Sequence, residues 1–112
     1  EAIKDYDKAI KLESKDADFF SNRGLAKFNL GRNEEAIKDY NEAIKLGSED
    51  PITFNNRGLA KSNLGRYEEA IKDYNEALKL NPINSVVFYN RSVAKGSQGK
   101  NIISKIRRLV RR

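Results

Sequence analysis

The chain has 112 residues and a formal net charge of +6, with 38% hydrophobic and 34% charged side chains. It contains no Cys and no His, which excludes disulfides, thiolate or imidazole metal ligands, a cysteine nucleophile and a histidine general base. No apolar run approaches the ~20 residues that a membrane crossing requires, so we expect a single soluble domain or a short repeat array, cytoplasmic and without cofactor or metal.

The positive charge is concentrated at the C-terminal end. All 16 acidic residues lie at or before Glu76, and residues 1–99 carry equal numbers of acidic and basic side chains. The excess therefore belongs to a basic tail, which consists of Lys100, Lys105, Arg107, Arg108, Arg111 and Arg112. Since the chain opens at Glu1 and has no Met, we also expect it to be a piece of a longer protein.

An internal repeat of 34 residues organises the chain. Residues 17–50 and 51–84 align with 23 of 34 positions identical. The preceding residues 1–16 match the second half of the unit, and we interpret them as the second helix of a truncated repeat. Residues 85–112 begin as a third copy and then diverge, which we interpret as a C-terminal repeat with a capping helix and the basic tail.

The second half of each unit has the pattern of an amphipathic helix. In the first full repeat its apolar residues recur at helical spacing and predict a buried face: Ala36, Ile37, Tyr40, Ala43, Ile44 and Leu46. The charged residues are expected to face solvent and to have no catalytic role: Glu34, Glu35, Lys38, Asp39 and Glu42.

The first half of each unit predicts another helix, which ends at Gly31 or Gly65 in a left-handed conformation. Asp50 followed by Pro51 is typical of a helix start. Gly24 and Gly58 lie inside these helices, where glycine costs about 1 kcal/mol relative to alanine, so we expect a close helix crossing there.

We expect the small residues Ala36 and Ala70 to face those two glycines. Tyr40 and Tyr74 are then expected to fill the space between successive units.

This helix-turn-helix unit resembles the tetratricopeptide repeat family. The positions that carry the resemblance are Phe20, Gly24, Ala36, Tyr40 and Ala43, then Phe54, Gly58, Ala70, Tyr74, Ala77 and Pro82. Ser48 departs from the family's usual Pro, Arg23 and Arg57 from its Leu, and Ser92 from its small Gly. The resemblance implies an all-α, right-handed solenoid of antiparallel helix pairs whose first helices line a concave groove for an extended peptide or a partner helix.

Beyond Gly99 the strict repeat register fails, but a two-residue deletion restores it. An apolar stripe then reappears at the spacing of the other second helices: Ile102, Ile103, Ile106, Leu109 and Val110. This pattern predicts a seventh helix joined by a shorter turn.

The repeat register assigns thirteen residues to the groove: Ser21, Asn22, Leu25, Phe28, Asn29, Asn55, Asn56, Leu59, Ser62, Asn63, Tyr89, Asn90 and Val93. Asn22, Asn56 and Asn90 recur at the repeat interval. A side-chain amide both donates and accepts, so such a ladder can hydrogen-bond successive peptide groups of a ligand. The alternative is that these amides bond only to neighbouring backbone or water.

Some members of the family grip the terminal carboxylate of chaperone tails with two Lys, two Asn and an Arg. Only Asn56 matches that set, because Ser21 and Val86 replace the Lys residues, Leu25 replaces an Asn, and Asn90 replaces the Arg. We therefore expect no carboxylate clamp. Arg23, Arg57 and Arg91 form a separate column, whose stems we expect to pack between helices while the charged ends reach water.

Two further hypotheses concern the ends of the chain. The basic tail either caps the solenoid with a solubilising face or binds anionic membrane or nucleic acid. The helix over residues 1–12 leaves Ala2, Tyr6 and Ala9 partly uncovered unless another chain or the missing sequence covers them, and such a face favours self-association through terminal helices into a homo-oligomer. No nucleophile elbow, phosphate-binding loop or metal cluster occurs in the sequence, so we expect a binding protein and not an enzyme.

Overall fold

The computed structural model describes residues 1–12 and 16–111 and is all-α in this part of the chain. Its helices are α1 (Ala2–Leu12), α2 (Ala17–Asn29), α3 (Asn33–Lys45), α4 (Pro51–Asn63), α5 (Tyr67–Leu80) and α6 (Ser85–Val110). Each helix packs against the next along the chain, and α2 also contacts α4, as α4 contacts α6. The helices therefore form a solenoid in which α2, α4 and the start of α6 are the first helices of successive units.

Several helix boundaries follow the sequence signals. The side chain of Asp50 accepts a hydrogen bond from the Ile52 amide at 2.9 Å, so α4 begins at Pro51 as predicted. Gly31 and Gly65 adopt φ values of +77° and +78°, which confirms the left-handed turns at the ends of α2 and α4.

The core lies between the helices of each pair. The predicted buried face of α3 is confirmed at Ala36, Ile37, Tyr40 and Ala43. The equivalent residues of α5 pack against Val87 and Ala94 of α6.

The nearest neighbours of the two mid-helix glycines are tyrosine rings, a contact that the expected facing of Ala36 and Ala70 did not include. A Cβ placed on Gly24 would lie 2.8 Å from Cε1 of Tyr40, and one on Gly58 would lie 2.6 Å from Cε1 of Tyr74. Each tyrosine therefore packs on the glycine of its own repeat, and the missing side chain makes room for an aromatic ring.

The expected seventh helix is absent from the described residues, which overturns that prediction. The helix α6 continues without a turn through Gly99, and its last part, residues 100–110, is exposed throughout; we call this part the distal half of α6. The apolar stripe that was expected to be buried is 50–79% exposed: Ile102, Ile103, Ile106, Leu109 and Val110.

Charge gives a physical reason for the open hairpin. In the closed repeats, Asp39 and Asp73 join each second helix to cations of the first helix. In the third repeat Arg107 stands at that position in strict register, and Lys105 stands there after the two-residue deletion. Folding the distal half back would therefore bring a cation against Arg91, which disfavours closure.

Candidate binding groove

A cavity of about 420 Å³ opens between α2 and α4 on the side of the first helices. Its lining consists of Asp18, Ser21, Asn22, Leu25, Tyr40, Asp50, Ile52, Thr53 and Asn56. Four of the residues assigned to the groove from the sequence, Ser21, Asn22, Leu25 and Asn56, thus meet at one place.

The asparagine ladder is split by the structure. Asn22 and Asn56 both line the cavity, so two amides one repeat apart face the same space. Asn90 lies outside this lining and donates from Nδ2 to Oδ1 of Asn55 at 3.0 Å. The third amide is therefore engaged within the chain, as is the Asn55 side chain that accepts from it.

Other residues assigned to the groove make intramolecular contacts. The Ser62 hydroxyl lies 3.2 Å from the Tyr74 hydroxyl, and Asn63 donates to Oδ1 of Asn33 at 3.3 Å. Leu59 packs against the hydrophobic core. The remaining assigned residues lie along α2 and α6 away from the cavity: Phe28 is half-buried, while Asn29, Tyr89 and Val93 are exposed.

The residues that sequence reasoning missed are Asp18, Tyr40, Asp50, Ile52 and Thr53. Thr53 is buried, and its hydroxyl lies 3.0 Å from that of Ser21, which joins α2 to α4 at the cavity wall. Most of these residues belong to the start of a first helix, a region that the repeat register had not connected with the groove.

Tyr40 contributes a buried hydroxyl that has no hydrogen-bond partner among the described residues. Burial, followed by the nearby charge of Asp39, raises the pKa of Tyr40, and the Asn56 amide partly offsets this rise without forming a hydrogen bond of ordinary geometry. In the second repeat the equivalent Tyr74 hydroxyl meets Ser62. Phe28 occupies the Ser62 position in the first repeat, which explains the difference.

The charge of the cavity wall is acidic. Its only charged side chains are those of Asp18 and Asp50, and no Lys or Arg appears in the lining that the structure describes. A carboxylate ligand would therefore meet no cation at this place, whereas a basic or neutral ligand would meet no like charge.

Two members of the arginine column, Arg23 and Arg57, are held in ion pairs, which corrects for these two the expectation that their charged ends reach water. Arg23 donates from Nε and Nη2 to the carboxylate of Asp39 at 2.9 and 2.7 Å, and from Nη1 to Asp7 at 2.9 Å. Asp39 is only 4% exposed, so its expected position on the solvent face is also wrong. The hydrogen bonds with Asp39 are the largest cause of the raised pKa of Arg23.

The second repeat reproduces this arrangement. Arg57 donates to Asp73 at 2.9 and 2.7 Å and to Asn41 at 2.9 Å, and it lies over the ring of Phe54. These bidentate ion pairs hold the first helix of a repeat against its second helix, and thereby position the first helices that line the groove.

The described part of the basic tail lies apart from the groove, on the distal half of α6 and at Arg111 just after it. The side chains of Lys100, Lys105, Arg107, Arg108 and Arg111 are exposed, and Arg112 lies outside the described residues. No described helix combines the length and hydropathy needed to cross a membrane. Within residues 1–12 and 16–111, no group of three acidic side chains is arranged to hold a metal ion.

Solved structures with the same fold include domains bound to peptides. The second TPR domain of human RPAP3, in complex with the HSP70 peptide SGPTIEEVD, is 32% identical with a TM-score of 0.79, over 83% of this chain and 78% of that one. The first TPR of Spaghetti (RPAP3), bound to the HSP90 peptide SRMEEVD, is 28% identical with a TM-score of 0.84, over 87% and 77%.

The TPR domain of Arabidopsis OM64 is 29% identical with a TM-score of 0.81, over 84% of this chain and 78% of that one. No curated protein matches the chain in sequence. Family models described as "TPR repeat" match residues 1–31 and 24–65, and one described as "Tetratricopeptide repeat" matches residues 51–84. The chain therefore belongs to the tetratricopeptide repeat family.

Proposed function

We propose that this chain is a protein-interaction scaffold that binds an extended peptide of a partner in the cavity between α2 and α4. The observation that carries the proposal is the convergence of the Asn22 and Asn56 amides on one cavity of about 420 Å³. Amides at this spacing can pair with the backbone of a ligand whatever its side chains, and Leu25 and Ile52 supply apolar contact beside them. The solved neighbours whose names include a bound peptide support this assignment.

The charge of the cavity favours a different ligand from the acidic tails in those complexes. Asp18 and Asp50 are the charged groups of the wall. A peptide carrying Lys or Arg gains attraction there, and one ending in Glu-Glu-Val-Asp is repelled. We propose a basic or neutral segment as the partner peptide.

Selection from an immobilised library of short, N-acetylated and C-amidated peptides tests whether the chain binds extended peptides and whether it prefers basic or neutral ones. We expect the intact chain to enrich Lys and Arg over Asp and Glu, and the peptide SGPTIEEVD to bind at least about tenfold more weakly than a selected basic peptide. Enrichment of acidic peptides would refute the charge argument.

Paired variants locate the site. Asn22→Ala combined with Asn56→Ala should weaken binding of the selected peptide by about tenfold or more, because two amide contacts are lost. Asn90→Ala is the matched control, since that amide is bonded to Asn55 and lies outside the cavity lining. If the double variant binds like the wild type while its helicity is unchanged, the binding site lies elsewhere.

The distal half of α6 supports a second candidate function, contact with an anionic membrane surface. Its apolar stripe and its cations are exposed together, because every residue from 100 to 110 is exposed. A membrane interface can receive the apolar face and attract the cations, whereas nucleic acid makes use of the cations alone.

Co-sedimentation with phosphatidylcholine vesicles, with and without phosphatidylserine, tests this second function. We expect binding only to the anionic vesicles, weakened by salt and lost in the variant Ile103→Ser with Ile106→Ser. Binding to RNA that survives those two substitutions would favour nucleic acid, and binding to neither surface would leave the distal half as a cap.

A further inference from the structure

The cavity between α2 and α4 has an equivalent place one repeat later, between α4 and α6, and the two places differ in their hydrogen bonds. At the later place the Tyr74 hydroxyl lies 3.2 Å from the Ser62 hydroxyl. Beside it, Asn90 donates from Nδ2 to Oδ1 of Asn55 at 3.0 Å. These four side chains pair within the chain, so the later place needs no ligand to satisfy them.

The first cavity contains the same tyrosine without the same partner. Tyr40 stands 34 residues before Tyr74, but Phe28 occupies the position of Ser62 and offers no hydroxyl. The Tyr40 hydroxyl is buried and has no hydrogen-bond partner among the described residues. The nearby Asn56 amide does not form a hydrogen bond of ordinary geometry with it. A buried hydroxyl without a partner destabilises a protein, so this one lacks a compensating interaction within the described chain.

The ring that carries this hydroxyl is held firmly at the cavity wall. A Cβ placed on Gly24 would lie 2.8 Å from Cε1 of Tyr40 and 3.2 Å from Cζ, the carbon that bears the hydroxyl. The Tyr40 side chain is 0% exposed, and it lines the cavity together with the half-buried Asn56. The hydroxyl is therefore fixed at one point of the wall, as a preorganised hydrogen-bonding group must be.

The charges around the cavity determine which acceptor suits this hydroxyl. Asp18 and Asp50 are the charged side chains of the lining, and Asp39 acts on Tyr40 from the adjacent position of α3. All three carboxylates repel an anionic acceptor, whereas a neutral carbonyl meets no such repulsion. A peptide presents one neutral carbonyl at every residue, and a phenolic hydroxyl can donate to it.

We infer that the Tyr40 hydroxyl donates a hydrogen bond to a backbone carbonyl of the peptide bound in this cavity, and that the Asn56 side chain turns to admit that carbonyl. The inference rests on the proposed function and adds a donor from a second helix to the amides of the first helices. Because Tyr74 is already bonded to Ser62, this contact is confined to the first full repeat.

Titration calorimetry with the highest-ranking basic peptide from the library selection tests the contact. Tyr40→Phe removes one hydrogen-bond donor and should weaken binding about three- to tenfold. Tyr74→Phe is the matched control, because it removes the same atom from a hydroxyl that is bonded within the chain, and it should bind like the intact chain. Equal affinities of the intact chain and Tyr40→Phe overturn the inference.

Urea unfolding of the two variants without peptide separates a contact with the peptide from a role in the fold. Tyr40→Phe should unfold at the same urea concentration as the intact chain or at a higher one, because it removes a buried hydroxyl that has no partner. Tyr74→Phe should unfold at a lower concentration, because it breaks the bond with Ser62. A Tyr40→Phe variant that loses as much as Tyr74→Phe overturns the inference, since its hydroxyl then supports the fold.

Ester substitution identifies the carbonyl that accepts the bond. In a series of the same peptide, one peptide bond at a time is replaced by an ester, whose carbonyl is a weaker acceptor. One of these esters should weaken binding to the intact chain and have a smaller effect on binding to Tyr40→Phe, as a double-mutant cycle requires for two groups in contact. Equal effects on both proteins at every position overturn the inference.

The outcomes distinguish this inference from the proposed function. If Asn22→Ala combined with Asn56→Ala loses binding while Tyr40→Phe retains it, the groove binds the peptide and the hydroxyl takes no part. If the intact chain enriches no peptide from the library, the proposed function is overturned and this inference falls with it.

Discussion

Replacing Asp73 with Asn tests whether the buried ion pairs hold each pair of helices together. Asp73 is 2% exposed and accepts hydrogen bonds from Arg57 at 2.9 and 2.7 Å, with Lys61 at 3.1 Å from Oδ2. The substitution keeps the shape of the side chain but removes its charge. Two cations then remain between the helices without a carboxylate.

The expected loss in the free energy of unfolding is about 3 kcal/mol. Removing one partner of a buried ion pair costs about 3–5 kcal/mol. The lower end applies because the Arg57 and Lys61 side chains are 18% and 12% exposed, so water partly solvates them. For a chain of this length we expect Tm to fall by roughly 10 °C.

Urea unfolding followed by far-ultraviolet circular dichroism measures the effect, with the m-value checked because repeats can unfold separately. Glu76→Gln is the control, since the ion pair of Glu76 with Lys79 is on the surface and should contribute less than about 0.5 kcal/mol. If the free energy of unfolding of Asp73→Asn lies within about 0.5 kcal/mol of that of the control, the buried ion pairs do not stabilise the repeat and the reasoning is wrong.

Three other predictions follow from the same structure. Gly58→Ala should lower the free energy of unfolding by about 1–3 kcal/mol, because its Cβ would lie 2.6 Å from the Tyr74 ring. Gly96→Ala, whose Cβ would have nothing within 4 Å, should instead stabilise α6 by up to about 1 kcal/mol. Urea unfolding of both variants distinguishes the effect of packing from that of helix propensity. Asn84→Ala removes the side-chain acceptor of two amides at the start of α6 and should cost about 1 kcal/mol in the same assay, and no loss would show that the cap is dispensable. Burial raises the pKa of Tyr40 and Tyr74 above the unfolded value of 10.0, so their contribution to stability is present below that pH and is lost as pH rises through the folded pKa. In a pH titration, the tyrosinate absorbance of the native protein should therefore develop at higher pH than that of the protein in denaturant. Coincident titrations would contradict this.

Much of the fold could be predicted because its determinants are local and repeated. The left-handed turns at Gly31 and Gly65 and the start of α4 at Pro51 depend on backbone preferences of single residues. The buried face of α3 follows from helical spacing. These features require no knowledge of which helix packs on which.

The errors arose where two distant side chains decide each other's environment. Asp39 has the spacing of a solvent-facing residue, yet it is buried because Arg23 neutralises it from another helix. Similarly, the spacing did not reveal that Gly24 leaves room for the ring of Tyr40 in the next helix. For the groove, the recurrence of asparagine located Asn22 and Asn56 at one cavity, but nothing in the spacing revealed that Asn90 bonds to Asn55.

The sequence by itself determined the 34-residue unit, the alternation of two helices within it and the family to which the chain belongs, because identity at 23 of 34 positions and helical periodicity are properties of a linear pattern. The tertiary structure decided which polar side chains are buried and whether the last hairpin closes. The apolar stripe of the distal half would be buried if the last hairpin closed. Closure also requires a carboxylate to pair with Arg91, but the chain has a cation at that position. Such a balance between apolar burial and charge repulsion depends on the three-dimensional neighbours of each residue, which periodicity does not contain.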